Sequence, residues 1–207
     1  MSKGMMTMGV ATIGLTLASA ANAGFSGNGA GGSIPDSGTG VFTSDIVVGA
    51  SGSLADITVS LNDLTHTWAG DLVATIEHVD TGSSITLFDR IGKTNATSGF
   101  GSSSDFDGDY SFNDAFTGDL WAAAASNPIP GGEYRTTGGL SGAATSLLAI
   151  FGGEDISGTW RLTIEDFAGG DTGALESWTL TLVPVPAPAA VALLGLGGLC
   201  GRRRRRA

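Results

Sequence analysis

The sequence predicts an all-β fold of antiparallel strands, and the clearest sign of it lies near the chain's end. Apolar residues occupy alternate positions from Trp160 to Ile164 within residues 158–166, and residues 174–183 alternate in the same way. A two-residue period gives each strand one apolar face, so both strands are expected to be half buried. Residues 168–173, Ala-Gly-Gly-Asp-Thr-Gly, lie between them and favour a turn. The chain has 34 glycines in all, and they cluster between alternating apolar runs, as a loop-rich β-sandwich requires.

Taken in order, alternation and turn residues predict seven strands. Ile57, Val59 and Leu61 form one clear apolar face. The predicted strands are residues 42–48, 54–61, 71–78, 84–91, 109–116, 158–166 and 174–183. Residues 122–125 and 145–151 resist assignment, because short apolar runs do not distinguish a helical turn from a loop. We place both in long connections and expect no long helix.

The first 183 residues predict a leader, a linker and a single domain. A positive start at Lys3, an apolar run and a small-x-small site ending at Ala23 are typical of a secretory signal peptide over residues 1–23. Residues 24–40 are glycine-rich and nearly free of apolar side chains, which predicts a linker or an extended lead-in. Residues 41–183 are long enough for one core.

Residues 184–207 combine a proline-rich spacer, an apolar run and five arginines, Arg202 to Arg206. The run is short for a span, which needs about 20 apolar residues. The arginines should stay cytoplasmic by the positive-inside rule, leaving the β domain outside. This ending resembles the PEP-CTERM sorting signal of bacteria with an exosortase, although Val185 stands where the motif has glutamate. The resemblance implies an exosortase-like processing enzyme as partner; the alternative is a permanent inner-membrane anchor.

The charge of the predicted domain argues against nucleic acid as a partner. All twenty acidic residues lie within residues 24–183, accompanied by four cationic residues: Arg90, Lys93, Arg135 and Arg161. Such a surface repels nucleic acid and anionic lipid, and it suits an exported protein in a medium rich in cations. The one cysteine, Cys200, lies in the apolar tail, so no intrachain disulfide is possible.

Five ordered segments carry a family resemblance. They are His-Thr-Trp-Ala-Gly-Asp-Leu at 66–72, the strand at 84–92, Tyr-Ser-Phe-Asn-Asp-Ala-Phe at 110–116, Gly-Glu at 153–154, and the run from Gly-Thr-Trp to Ser-Trp-Thr-Leu-Thr-Leu at 158–182. Together they resemble the P domain, or Homo B domain, which follows the catalytic domain of subtilisin-like proprotein convertases. The resemblance spans roughly residues 41–183 and implies an antiparallel, jelly-roll-like β-sandwich of about eight strands. In convertases this domain stabilises and regulates an attached protease domain, which we do not expect within these residues.

We expect no catalytic residues. A subtilisin-type enzyme needs an Asp, a His and a nucleophilic Ser with an oxyanion donor. The two histidines are His66, which belongs to the family-like motif, and His78, which ends a predicted strand. The sequence around Ser146 lacks the preceding glycine and the following small residues of a subtilisin nucleophile.

The acidic residues are the candidates for a metal site, and calcium is the expected cofactor. Hard oxygen ligands in a flexible loop suit calcium, and three carboxylates alternate around a glycine at Asp105, Asp107 and Asp109. A second cluster is predicted at strand ends, from Asp71, Glu154, Asp166 and Asp171. In both cases the alternative is a solvated negative surface.

The function expected is that of an exported, non-catalytic binding or stabilising module at the cell envelope, cell surface or extracellular matrix. One alternative is an accessory domain that docks in trans on a separate subtilisin-like serine protease. The other is a carbohydrate-binding sandwich held in exopolysaccharide. Tryptophans would line such a sugar-binding face, but Trp160 and Trp178 lie on apolar strand faces and are expected in the core.

Overall fold

Two β-sheets pack into a sandwich in the computed structural model, which describes residues 24–186. The predicted signal peptide, and the tail from residue 187 onward, lie outside the described residues. Within residues 24–186, no helix has the length and apolar character needed to cross a membrane.

The elements confirm the predicted all-β class. The strands are β1 Phe25–Ile34, β2 Phe42–Val48, β3 Leu54–His66, β4 Leu72–His78, β5 Ser83–Asp89, β6 Phe106–Phe112, β7 Gly132–Tyr134, β8 Thr137–Gly138, β9 Ala143–Ala144, β10 Gly158–Asp166 and β11 Gly173–Pro184. The helices are α1 Leu120–Ala123 and α2 Leu147–Phe151, with short 3-10 turns at Ala69–Asp71 and Gly139–Ser141. One sheet has the order β1-β11-β3-β6-β7, the second has the order β2-β10-β4-β5, and β8 pairs with β9. Neighbours are antiparallel except for β6 and β7.

The apolar strand faces meet between the sheets, as alternation requires. Trp160 and Trp178 are fully buried there, which confirms their expected place in the core. Burial of each large apolar side chain stabilises the fold by about 1.5–3 kcal/mol. The Trp178 Nε1–H donates a 2.9 Å hydrogen bond to the Ser44 hydroxyl, so the buried indole of β11 is paired with a residue of β2 in the other sheet.

Residues 25–34 form strand β1, so the predicted linker is wrong for this segment. β1 pairs with β11 from Phe25 opposite Leu182 to Ile34 opposite Gly173. Its glycines are needed for close approach: a Cβ at Gly29 would lie 1.9 Å from the Trp178 indole nitrogen. Because glycine has no side chain to alternate, hydrophobic periodicity could not reveal this strand.

Strand boundaries also shift where the pairing is irregular. β3 continues beyond residue 61 to His66, and its pairing with β6 shifts register between Leu61 and Leu64. Such a bulge breaks the two-residue period that marks a strand in the sequence.

Residues 122–125 and 145–151, which resisted assignment, overlap the one-turn helices α1 and α2. The Ser146 hydroxyl caps α2 by accepting the Ala149 N–H at 3.0 Å.

Candidate functional site

Three carboxylates converge at the end of the sandwich where β10 finishes and β4 and β11 begin. The register sets Asp166 opposite Leu72, directly after Asp71, and Gly173 opposite His66. Asp171 lies in the turn between β10 and β11. We call Asp71, Asp166 and Asp171 the acid cluster. Strand pairing thus unites three of the four residues predicted for the second calcium site.

Asp71 is the least satisfied member of the acid cluster. Only 3% of its surface is exposed, and its Oδ1 atom is buried without a hydrogen-bond partner. Burial, together with the charges of Asp166 and Asp171, raises the pKa of Asp71 to about 6 against the opposing effects of Arg90 and His66. A buried polar atom left unpaired costs about 1–3 kcal/mol. The Oδ1 atom of Asp71 is therefore free to accept a hydrogen bond or to bind a cation.

Asp166 is held in place by His66. The His66 Nε2 lies 3.2 Å from the Asp166 Oδ2, and both side chains are almost fully buried. The other carboxylate oxygen of Asp166 accepts the Ala168 N–H at 3.0 Å. The Trp68 N–H donates to the His66 Nδ1 at 3.1 Å, which fixes the ring from its other side. His66 therefore orients an acid of the cluster.

Asp171 is the more accessible member, because it lies in an exposed turn. Its Oδ1 accepts a 2.8 Å hydrogen bond from the Thr67 hydroxyl, which joins the turn to the end of β3. Gly170, next to it, has a φ of +109° that favours glycine.

Two of the acids predicted around Gly108 line an open cleft beside the acid cluster. Asp105 and Asp107 border this cleft, whose volume is about 490 Å³; its other lining residues are Thr65, His66, Thr67, Phe106, Thr172 and Gly173. Asp109 has a different role, because its Oδ1 accepts the Asp63 N–H at 2.8 Å. Asp63 has a φ of +47° at the β3 irregularity, so Asp109 stabilises that bulge. We call the cleft lined by Asp105 and Asp107 the acidic cleft.

Glu154 lies away from the acid cluster, at the opposite end of β4. Its carboxylate is 3.0 Å from the His78 Nδ1 and accepts the Thr81 hydroxyl at 3.1 Å. Burial opposes ionisation, but hydrogen bonds from Ser83, His78 and Thr81 lower the pKa of Glu154. Seven strand residues separate this position from Asp71, a distance of about 20 Å. The structure therefore corrects the predicted grouping of Glu154 with the other three acids.

As the side chains stand in residues 24–186, no set of three or more acidic, histidine or cysteine side chains is close enough to hold a metal ion. Calcium binding therefore remains a prediction for these acids. The chemistry of the acid cluster fits a hard cation, because it offers carboxylate oxygens and one of them is buried and unpaired. A shared ion would require the 167–172 turn to bring Asp171 inward.

The described residues pair neither histidine with a serine hydroxyl. His66 faces Asp166 and the Trp68 backbone, while the ring of His78 faces Glu154 and the Ser157 carbonyl. The Ser146 hydroxyl donates to the Asp114 carboxylate at 2.6 Å and caps α2. Its contacts are those of a helix cap, whereas a serine nucleophile requires a histidine base.

Sequence reasoning missed an exposed aromatic patch beside the acid cluster. Phe100 is 75% exposed and Phe167 is 45% exposed. Trp68 is half buried, and its Nε1–H donates to the Phe100 carbonyl. The guanidinium of Arg90 lies 5.4 Å from the centre of the Phe167 ring. We call Trp68, Phe100 and Phe167 the aromatic patch. The available signal was a lone phenylalanine, Phe100, within a run of glycines and serines.

Comparisons with known proteins found a family model that matches part of the chain and solved structures that resemble it. Residues 137–182 match the family model described as the proprotein convertase P-domain. A crystal structure of a serine protease of Aeromonas sobria with its chaperone (ORF2) is similar at a TM-score of 0.43 and 18% identity, covering 75% of this chain and 25% of that one. The Aeromonas sobria protease alone gives 0.41 and 16%, covering 73% and 24%.

The chain therefore spans about a quarter of the length of those structures. No curated protein matches it. The family match covers β8 to β11, including the Gly-Thr-Trp strand and the closing Ser-Trp strand on which the resemblance was based. By this match, residues 137–182 are similar to the proprotein convertase P-domain.

Proposed function

We propose that this protein is an exported, non-catalytic P-domain module that binds a partner at the cell envelope, and that calcium stabilises its binding end. The family match supports the non-catalytic role, because the P-domain is the accessory part of subtilisin-like proteases. The acid cluster supports the calcium ion. The predicted signal peptide at residues 1–23 supports export.

The observation that carries the calcium proposal is the buried, unpaired Oδ1 of Asp71. Calcium takes six to eight oxygen ligands, which carboxylates, backbone carbonyls and water supply together. Asp71, Asp166 and Asp171 would hold the ion. Its charge would relieve their mutual repulsion and tie the β10–β11 turn to the start of β4.

Thermal unfolding of the full chain in mild detergent tests this proposal. We expect a higher melting temperature in millimolar calcium than in chelator at matched ionic strength. Asp71→Asn should abolish the difference. Glu176→Gln is the matched control, because it removes one negative charge from an exposed position on β11 and should leave the calcium effect intact. Equal melting temperatures of the unmodified chain in both buffers would leave only a solvated negative surface.

The partner we propose first is a separate subtilisin-like serine protease, docked in trans. The support is the role of the P-domain family, in which this sandwich accompanies a protease domain. The full chain, tagged and purified from its own envelope, should carry such a protease at a fixed stoichiometry. Its absence from a preparation in which the protease is expressed would contradict docking.

The carbohydrate-binding alternative has less support. Trp160 and Trp178 are in the core and unavailable to a sugar, and Trp68 and Trp121 are each only partly exposed. Retention on exopolysaccharide, abolished by Trp68→Ala, would favour this alternative.

The C-terminal tail is proposed to sort the module to the surface. An exosortase-like enzyme would remove it, or it would remain as an inner-membrane anchor with Arg202 to Arg206 in the cytoplasm. The length of the mature chain distinguishes these two outcomes.

A further inference from the structure

The aromatic patch exposes unusually large apolar side chains for a sandwich whose strand faces are well packed. Phe100 and Phe167 are the two exposed aromatic residues among the large apolar side chains that the structure describes as exposed. Both lie at the same end, in loops that follow β5 and β10. Clustered exposed aromatic residues mark binding surfaces, whereas single exposed apolar residues are ordinary.

The loops that carry the patch are pinned to the sandwich. The Trp68 Nε1–H donates to the Phe100 carbonyl at 2.8 Å, and the Phe167 N–H donates to the Asp71 carbonyl at 2.9 Å. The Gly70 N–H donates to the Ser102 carbonyl at 2.9 Å. Because these bonds fix the backbone on both sides, the aromatic rings are presented with little loss of freedom on binding.

Glycine at position 70 makes this close packing possible. A Cβ at Gly70 would lie 2.4 Å from the Phe100 carbonyl oxygen and 2.7 Å from the Gly101 Cα. Arg90 adds a further link, because its Nε–H donates to the Gly70 carbonyl at 3.2 Å while its guanidinium lies beside Phe167. Phe100, Phe167 and Trp68 therefore share one backbone support.

Acidic residues lie close to the backbone around Gly70, which carries the aromatic patch. Asp71 of the acid cluster, with its unpaired Oδ1, follows Gly70 directly in the chain, and the acidic cleft adds Asp105 and Asp107 next to Thr67. Residues 24–183 contain twenty acids and four cations. Two of the cations lie beside the patch, and both donate to backbone carbonyls: Arg90 to Gly70 at 3.2 Å and Lys93 to Gly99 at 2.7 Å. Charge complementarity therefore selects a cationic partner and would speed its approach.

We propose that the aromatic patch and the acidic cleft together dock a polypeptide segment that carries a large apolar side chain next to lysine or arginine. The apolar side chain packs on Phe100 and Phe167, and the cationic side chain enters the cleft lined by Asp105 and Asp107. This inference rests on the proposed role as a binding module and does not depend on the calcium ion.

The test uses a phage-displayed library of random peptides, selected on the immobilised full chain in mild detergent. We expect the selected peptides to combine an aromatic or large aliphatic residue with nearby lysine or arginine. Phe100→Ala and Phe167→Ala should each weaken the affinity of these peptides at least about tenfold. Val47→Ala is the matched control: Val47 is also 75% exposed, but it lies on β2, away from the patch, and its loss should change nothing.

Charge is tested separately. Asp107→Asn should weaken the binding of cationic peptides and reduce its dependence on salt, because one of the paired charges is lost. Asp107 is exposed and Phe100 lies in a loop, so unchanged unfolding temperatures would verify that both variants fold.

Several results would overturn the inference. They are no enrichment, enrichment without lysine or arginine, and affinities unaffected by either phenylalanine substitution. Self-association of the chain that is abolished by Phe100→Ala would assign the surface to a second copy of the chain and would also overturn the inference.

If a protease still co-purifies with both phenylalanine variants, the proposed docking surface is wrong while the proposed function stands. If peptides bind equally in calcium and chelator and the unfolding temperature does not change, only the calcium proposal fails.

Discussion

Replacing Asp71 with asparagine should stabilise the calcium-free protein, although it removes a buried charged residue. The pKa of Asp71 is raised from 3.8 to about 6 by burial and by the neighbouring acids. Each pKa unit corresponds to about 1.4 kcal/mol, so the ionised carboxylate costs the folded state up to about 3 kcal/mol. Asparagine keeps the shape and does not ionise. After allowing for its unpaired amide, we expect a gain of about 1–2 kcal/mol at pH 7.5.

The raised pKa of Asp71 also determines how the stability of the fold changes with pH. The folded protein holds the Asp71 proton more tightly than the unfolded chain does, so between pH 4 and pH 6 it binds more protons. This contribution to stability is present at pH 4 and is lost as the pH rises through about 6. The advantage of Asp71→Asn should therefore vanish near pH 4.

Calcium should reverse which of the two proteins, the unmodified chain or Asp71→Asn, is the more stable. An ion that binds only the folded state stabilises it by about 2.7 kcal/mol at a hundredfold excess over Kd. The unmodified chain should gain this amount, whereas Asp71→Asn should gain little. The variant would then be the more stable protein in chelator and the less stable one in calcium.

Differential scanning calorimetry of both full-length proteins, from pH 4 to pH 8, measures this crossing. For a domain of this size, 1 kcal/mol corresponds to about 2–4 °C in melting temperature, so the shifts are well resolved. The reasoning would be refuted by a variant that is less stable than the unmodified chain in chelator at pH 7.5. An identical pH slope in the two proteins would equally show that Asp71 is not the titrating group.

Four further predictions concern the tail, the chemistry and the core. Replacing Arg202 to Arg206 with uncharged residues should disturb retention or processing, which mass spectrometry of the mature C-terminus detects; an intact tail in the surface form of the unmodified protein would contradict sorting. The full chain should not react with a fluorophosphonate probe, and stoichiometric labelling of Ser146 would overturn the non-catalytic assignment. Gly31→Ala should destabilise the fold by about 1–3 kcal/mol, because its Cβ would lie 2.0 Å from the Leu175 carbonyl; Gly49→Ala, with open space around it, is the control in the same denaturant titration. Trp160→Ala should cost about 3–5 kcal/mol by the same measurement, and a loss below 1 kcal/mol would contradict its place in the core.

The strands that could be predicted are those with one buried and one exposed face. From Thr159 to Asp166, β10 alternates between partly exposed and buried residues, so each side chain there indicates which face of the sheet it occupies. β1 is equally regular in its backbone, but its glycines carry no such signal. Its pairing depends on the space beside Trp178, which is a property of the assembled sandwich. Periodicity therefore found the strands that build the core and missed the strand that covers an edge.

The candidate site was predictable only where strand pairing follows sequence motifs. Asp71 directly precedes β4 and Asp166 ends β10, both within segments that carry the family resemblance, and they meet as expected. Glu154 lies four residues before the start of β10, and because β10 runs antiparallel to β4, that start lies at the far end of the sandwich from Asp71. Phe100 and Phe167 lie in loops, whose positions depend on a few hydrogen bonds between distant segments and leave no periodic pattern.

The pairing of the first and last strands fixes how the module would be held. Phe25 lies opposite Leu182, so the described chain enters and leaves the sandwich at neighbouring points. β11 runs for twelve residues from the acid cluster to that shared exit, a length of about 35–40 Å. A tether at either end of the described chain would therefore attach to the end of the sandwich opposite the acid cluster. The aromatic patch and the acidic cleft would then face away from the attachment point. Neighbouring termini would also allow the module to be inserted between two parts of a longer polypeptide, because the flanking segments would not cover the aromatic patch or the acidic cleft.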